Sequence, residues 1–123
     1  MKILVVDDEK NVLLSLSRII PQQWADVTML RALSGEEAIH LIDKVVIDAV
    51  ITDLRMYNVD GLEVLRHVKK VQPNARRVLF TAFSGDPGVK EAIESDVIDF
   101  LIKKGDRKNE ILQSLEDLWI LWK

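Results

Sequence analysis

A chain of 123 residues is the size of one domain with its own core, and 48% hydrophobic against 30% charged residues excludes the profile of a disordered chain. Seventeen basic and twenty acidic residues leave a net charge of −3, which argues against binding nucleic acid through its phosphates. The absence of cysteine excludes disulfides, thiolate metal sites and thiol redox chemistry.

Five short apolar, β-branched runs recur along the chain: Ile3 to Val6, Val27 to Ala32, Val46 to Thr52, Arg77 to Thr81 and Val97 to Ile102. Helical periodicity separates them. The first stripe is Val12, Leu16, Ile19 and Ile20; the second Ala38, Ile39 and Ile42; the third Leu62, Leu65, Val68 and Val71; the fourth Val89, Ala92 and Ile93. A fifth helix carries Ile111, Leu115, Leu118 and Trp122. Ser34 with Glu37, and Asp60 with Glu63, have the spacing of capping boxes, and Asp86-Pro87 reads as a cap followed by a first-turn proline. Little polar alternation in the first and third runs fits a parallel sheet covered on both faces. The order predicts one α/β domain over residues 1–123, a (βα)₅ doubly wound sheet. No apolar run approaches the ~20 residues needed to cross a bilayer, and the start is too acidic for a signal peptide, so a soluble, cytoplasmic protein is expected.

In such a sheet ligands sit beyond the carboxyl ends of the strands. Asp7 and Asp8 follow the first run, Asp53 closes the third, Thr81 the fourth and Lys103 the fifth. Three carboxylates converging there repel unless a cation sits among them, and Mg²⁺ suits one or two carboxylates, a carbonyl and phosphate oxygens. Taken singly, each residue has an ordinary reading: Asp7 and Asp8 as helix-start acids, Thr81 as a strand residue, Phe100 as core, Lys103 as one of the solvated run Lys103, Lys104, Arg107 and Lys108.

Together the acidic pair, Asp53-Leu54-Arg55-Met56 with Asp60-Gly61, Thr81-Ala82, and Phe100 with Lys103 resemble the response regulator receiver domain of two-component signalling over essentially the whole chain. The resemblance implies a flavodoxin-like sheet with strand order 2-1-3-4-5. It implies that Asp53 takes a phosphoryl group from a histidine kinase or histidine phosphotransfer protein, with Mg²⁺ held by Asp8, Asp53, the carbonyl of Arg55 and, mainly through water, Asp7. Thr81 and Lys103 would contact the phosphoryl oxygens, and Thr81 and Phe100 would switch the face formed by the fourth helix, fifth strand and fifth helix. That face would meet an effector, a downstream protein or a second copy. The implied protein is not an enzyme for a separate substrate, although it assists its own phosphorylation and dephosphorylation.

Two departures from the family stand out. Tyr57 replaces the usual proline after Met56, and Lys104 replaces the proline whose cis peptide normally aims the lysine before it. A cis bond without proline costs about 2.5–4 kcal/mol, so a trans Lys103-Lys104 bond is expected. Arg55 and Phe83 stand two residues beyond Asp53 and Thr81, where bulk would shield an acyl phosphate and prolong its life. Apolar residues spread widely over the fifth helix, among them Leu112, Trp119 and Leu121, point to an interface. A dinucleotide-binding reading fails for want of glycine in the first loop, and an aspartyl phosphatase would need an acid where Arg55 stands. The alternative is a pseudo-receiver, never phosphorylated, that serves as a docking or dimerisation module.

Overall fold

A computed structural model describes residues 1–105 and 108–122, and the side chains of all of these but 109 and 118–122. Strands β1 (Lys2–Val6), β2 (Thr28–Ala32), β3 (Ala49–Thr52), β4 (Arg76–Thr81) and β5 (Phe100–Lys103) alternate with helices α1 (Lys10–Gln23), α2 (Gly35–Lys44), α3 (Gly61–Val71), α4 (Pro87–Glu94) and α5 (Lys108–Trp122). All strand pairs are parallel, in the order β2-β1-β3-β4-β5.

The pleat sorts the strand residues between two cores. Leu4, Val6, Val50 and Leu79 pack with Ala38 and Ile42 of α2, Leu62, Val64, Leu65 and Val68 of α3, and Val89 and Ala92 of α4. Ile3, Val5, Ala49, Ile51, Val78, Phe80 and Ile102 pack on the opposite face with Leu13, Leu16 and Ile20 of α1 and Ile111 and Leu115 of α5. Successive side chains of a strand point to opposite faces, so each strand alternates between these clusters.

Several boundaries differ from the sequence expectation. β3 begins only at Ala49: the Ile47 N–H donates to the side-chain carbonyl of Gln72, while the Asp48 backbone, donating to the Lys2 carbonyl and accepting from the Arg76 N–H, leads into the strand. β5 begins only at Phe100, since the N–H of Val97 donates to Ala92 and its carbonyl accepts from the buried guanidinium of Arg77. On α3 and α4, Val71 and Ile93 lie exposed rather than in the core, and Leu13 joins the buried face of α1. The apolar residues of the fifth helix from Leu118 onward lie outside the described side chains.

The helix starts follow the capping pattern. Ser34 accepts from the N–H of Glu37, Asp60 from that of Glu63, and Asp86 from that of Gly88 with Pro87 in the first turn. Gly61 opens α3 directly against the loop after β3. Its N–H donates to the Leu54 carbonyl, and a Cβ there would stand 1.9 Å from the carbonyl oxygen of Asp53. Only a residue without a side chain lets α3 approach that loop so closely. Gly61→Ala is expected to lower unfolding stability by about 2 kcal/mol, the range of an overpacked site. Chemical denaturation checks this, and a loss below about 0.5 kcal/mol, typical of a surface change, would contradict it.

Candidate functional site

Backbone ladders run one residue past the ends of three strands. The N–H of Asp7 donates to Ala32, that of Asp53 to Val6, and that of Lys104 to Thr81. The pleat therefore extends to these positions, and its parity decides which side chains meet. Counting by twos from Ile3 and Val5 leads to Asp7; from Ala49 and Ile51 to Asp53; from Phe100 and Ile102 to Lys104. All three fall on the sheet face covered by α1 and α5.

The contacts match that count. Nζ of Lys104 lies 2.8 Å from Oδ2 of Asp7, 3.1 Å from Oδ2 of Asp53 and 3.4 Å from Oε1 of Glu9. Asp53 Oδ1 accepts from the backbone N–H of Leu54, and Asp7 Oδ1 from that of Glu9. Asp7 Oδ2 is buried, with the Lys104 ammonium beside it. Asp7 and Asp53 are buried while Asp8 is exposed, and one carboxylate oxygen from each of the three lies within 4.8 Å of the others. Among the described residues this acidic group has the chemistry of a hard-cation site: oxygen ligands only, gathered at one point.

The electrostatics are those of anions with too little compensation. Burial pushes the Asp53 carboxyl above the usual carboxylate range, Asp8 adds to the rise, and the bonds to Lys104 and Leu54 reduce it without cancelling it. Asp7 is raised likewise, by burial first and by Asp53 beside it. Burial alone would pull the Lys104 ammonium down, but its bonds to Asp7 and Asp53 hold it above the normal lysine value.

The remaining candidates are distributed differently. Lys103, expected to supply the amine, is exposed; the parity that sends Lys104 inward turns Lys103 to the other face, where Leu101 packs. The peptide joining the two is trans. Thr81 is buried at the tip of β4, where its hydroxyl accepts from the Phe83 N–H at 3.3 Å rather than bonding to Asp53. Phe100 is half-buried against the α1/α5 core. Arg55 extends away from Asp53 and forms a two-pronged pair with Asp86, its Nε 2.7 Å from Oδ2. Phe83 is 72% exposed. Neither of these two side chains is packed over the acids as a shield. Lys104, and not the expected Lys103, stands beside the acids, a placement in step with the alternation Phe100, Ile102, Lys104.

Comparison with known proteins gives a consistent family. The model of the response regulator receiver domain matches residues 3–116. The transcriptional regulatory protein GlrR of Escherichia coli is 33% identical over 116 residues, which is 94% of this chain and 25% of that protein. The chain thus spans about a quarter of the length of that curated relative. Among solved structures, a CheY-like receiver domain protein from Methanospirillum hungatei superposes with a TM-score of 0.88 at 18% identity, covering 98% of this chain and 94% of that one. The response regulator TrrA of Thermotoga maritima, in complex with Mg²⁺ and a beryllium fluoride, gives 0.79 at 29% identity, covering 95% and 97%.

The raised carboxyls fix the sign of a stability effect. A carboxyl that holds its proton more tightly folded than unfolded costs stability as pH rises from 3.8, the unperturbed value, through the higher folded value. At neutral pH, without divalent cations, Asp53→Asn is therefore expected to raise the thermal midpoint by about 3–6 °C, the effect of about 1 kcal/mol in a domain of this size. The gain should fade as pH falls toward 4. Calorimetry showing an unchanged or lower midpoint at neutral pH would contradict the account.

Proposed function

The chain belongs to the response regulator receiver domain family, and on that premise we propose that it accepts a phosphoryl group on Asp53 from a phosphohistidine donor, with Mg²⁺ at the acidic cluster. The observation that carries the reading is the convergence of Asp7, Asp8 and Asp53 at the tips of β1 and β3 with an ammonium among them. In the proposed transfer a carboxylate oxygen of Asp53 attacks phosphorus, the bond from phosphorus to the donor imidazole nitrogen breaks, and the imidazole leaves with the electron pair. When bound, Mg²⁺ supplies positive charge to the phosphoryl oxygens. Asp8, Asp53 and the carbonyl of Arg55 would hold it, with Asp7 acting through water.

The protein's own share of the work is positioning. Leu54 N–H fixes one oxygen of Asp53, and burial keeps water from dispersing the field around it. The Thr81 hydroxyl, which here accepts from Phe83, would turn to donate to a phosphoryl oxygen. Phe100 would follow, shifting the α4-β5-α5 face between two packings. Ile93, exposed on α4, supplies that face with apolar surface for an effector, a downstream protein or a second copy. No helix among the described residues is long and apolar enough to cross a membrane, which accords with the cytoplasmic location proposed for a kinase-coupled receiver.

Incubation with acetyl phosphate and Mg²⁺ followed by intact-mass measurement tests the reading. Wild type is expected to gain the mass of one phosphoryl group, and Asp53→Asn none. Wild type that gains no mass would overturn phosphoacceptance in favour of a pseudo-receiver that only docks, and an equal gain in both would overturn Asp53 as the acceptor.

A further inference from the structure

We infer that the amine pairing with the transferred phosphoryl group is Lys104, one residue beyond the lysine that the family motif designates, and that Lys103 is left free of the site. This rests on the phosphoacceptor reading above. Three linked observations bear on it. Nζ of Lys104 is already within ion-pair distance of both Asp7 and Asp53, with a side chain only 12% exposed, whereas Lys103 is exposed. The Lys104 N–H donates to the Thr81 carbonyl, so the residue belongs to the β4–β5 ladder and its direction is set by the pleat rather than by a free loop. Parity along β5, with Phe100 and Ile102 in the α1/α5 core, places position 104 on the face where Asp7 and Asp53 emerge and position 103 on the opposite one.

A one-residue change of parity sends a side chain to the other face of a sheet. A strand that continues through a trans peptide, as this one does at Lys103-Lys104, presents its second lysine to the acids. The replacement of proline by Lys104 is then a relocation of the amine and not its loss. Lys104 lies beside a cleft of about 490 Å³ bordered by Asn11, Val12 and Ser15 of α1, Ala82 and Gly105. This cleft gives the ammonium room to move from Asp53 Oδ2 toward an oxygen of an incoming phosphoryl group while it stays close to Asp7. No proton is transferred by Lys104 in this step; it contributes charge and a hydrogen-bond donor.

Two measurements on the single variants Lys103→Ala, Lys104→Ala and Lys104→Met test the inference, the last keeping most of the side chain's bulk. The first is the initial rate of phosphoryl gain from acetyl phosphate with Mg²⁺, by intact mass. Both Lys104 variants are expected to be slowed about tenfold or more, the effect of losing a hydrogen bond between charged groups, and Lys103→Ala to stay within about twofold of wild type. The second needs no phosphoryl donor. Without divalent cations the Lys104 variants should lose thermal stability at neutral pH, because Asp7 and Asp53 lose their shared counter-charge, and Lys103→Ala should not. If Lys103→Ala is slowed as much as the Lys104 variants, or the Lys104 variants keep the wild-type rate, the assignment is overturned. Failure of the underlying reading is distinct, since wild type itself would then gain no mass or Asp53→Asn would gain as much.

Discussion

Two carboxylates buried at adjacent strand tips, sharing one lysine ammonium, set the conditions for everything else in this molecule. Asp7 and Asp53 are removed from water by the same packing that builds the sheet, and a third acid, Asp8, stands beside them at the rim. Their charge is costly in such surroundings, and one ammonium does not neutralise it: both carboxyls remain above their ordinary range although Lys104 touches each. Further positive charge at the site would relieve that cost.

The architecture explains why the acids meet at all. β1 and β3 are neighbours in the sheet, so the residues just after them lie side by side. Gly61 lets α3 begin tight against the Asp53 carbonyl, fixing the loop that follows Asp53. The guanidinium of Arg55 reaches from that same loop to Asp86, the residue capping α4. This pair ties the loop after β3 to the start of α4. The pair is solvent-exposed, so its contribution is geometric before it is energetic.

Much of this was legible in the sequence. Five apolar runs separated by helical stripes define the (βα)₅ order, and Ser34, Asp60 and Asp86 cap the helices as their spacing predicts. The acids of the site also stand where strand ends alone would put them. What escaped was local. Apolar residues at Val46 and Val97 read as strand but lie in loops: the Ile47 N–H and the Val97 carbonyl pair with the side chains of Gln72 and Arg77, and no periodicity encodes a long-range hydrogen bond. The choice between Lys103 and Lys104 depended on which strand face position 104 occupies, information carried by the burial of Ile102 and not by motif spacing. Arg55 and Phe83, expected over Asp53, turn to Asp86 and to solvent, since an exposed arginine follows its nearest acid and nothing in the sequence says which acid is nearest in space.

The claim at the centre is that the strand-tip acids bind a divalent cation as a unit. Titration of the isotopically labelled protein with Mg²⁺, followed residue by residue through its backbone amides, tests it most directly. The account predicts saturable shifts concentrated at residues 7–9, 53–55 and 104–105, with those on the far edge of the sheet unmoved. Shifts scattered over surface acids such as Glu36, Asp43 and Glu94, with Asp7 and Asp53 unaffected, would contradict it.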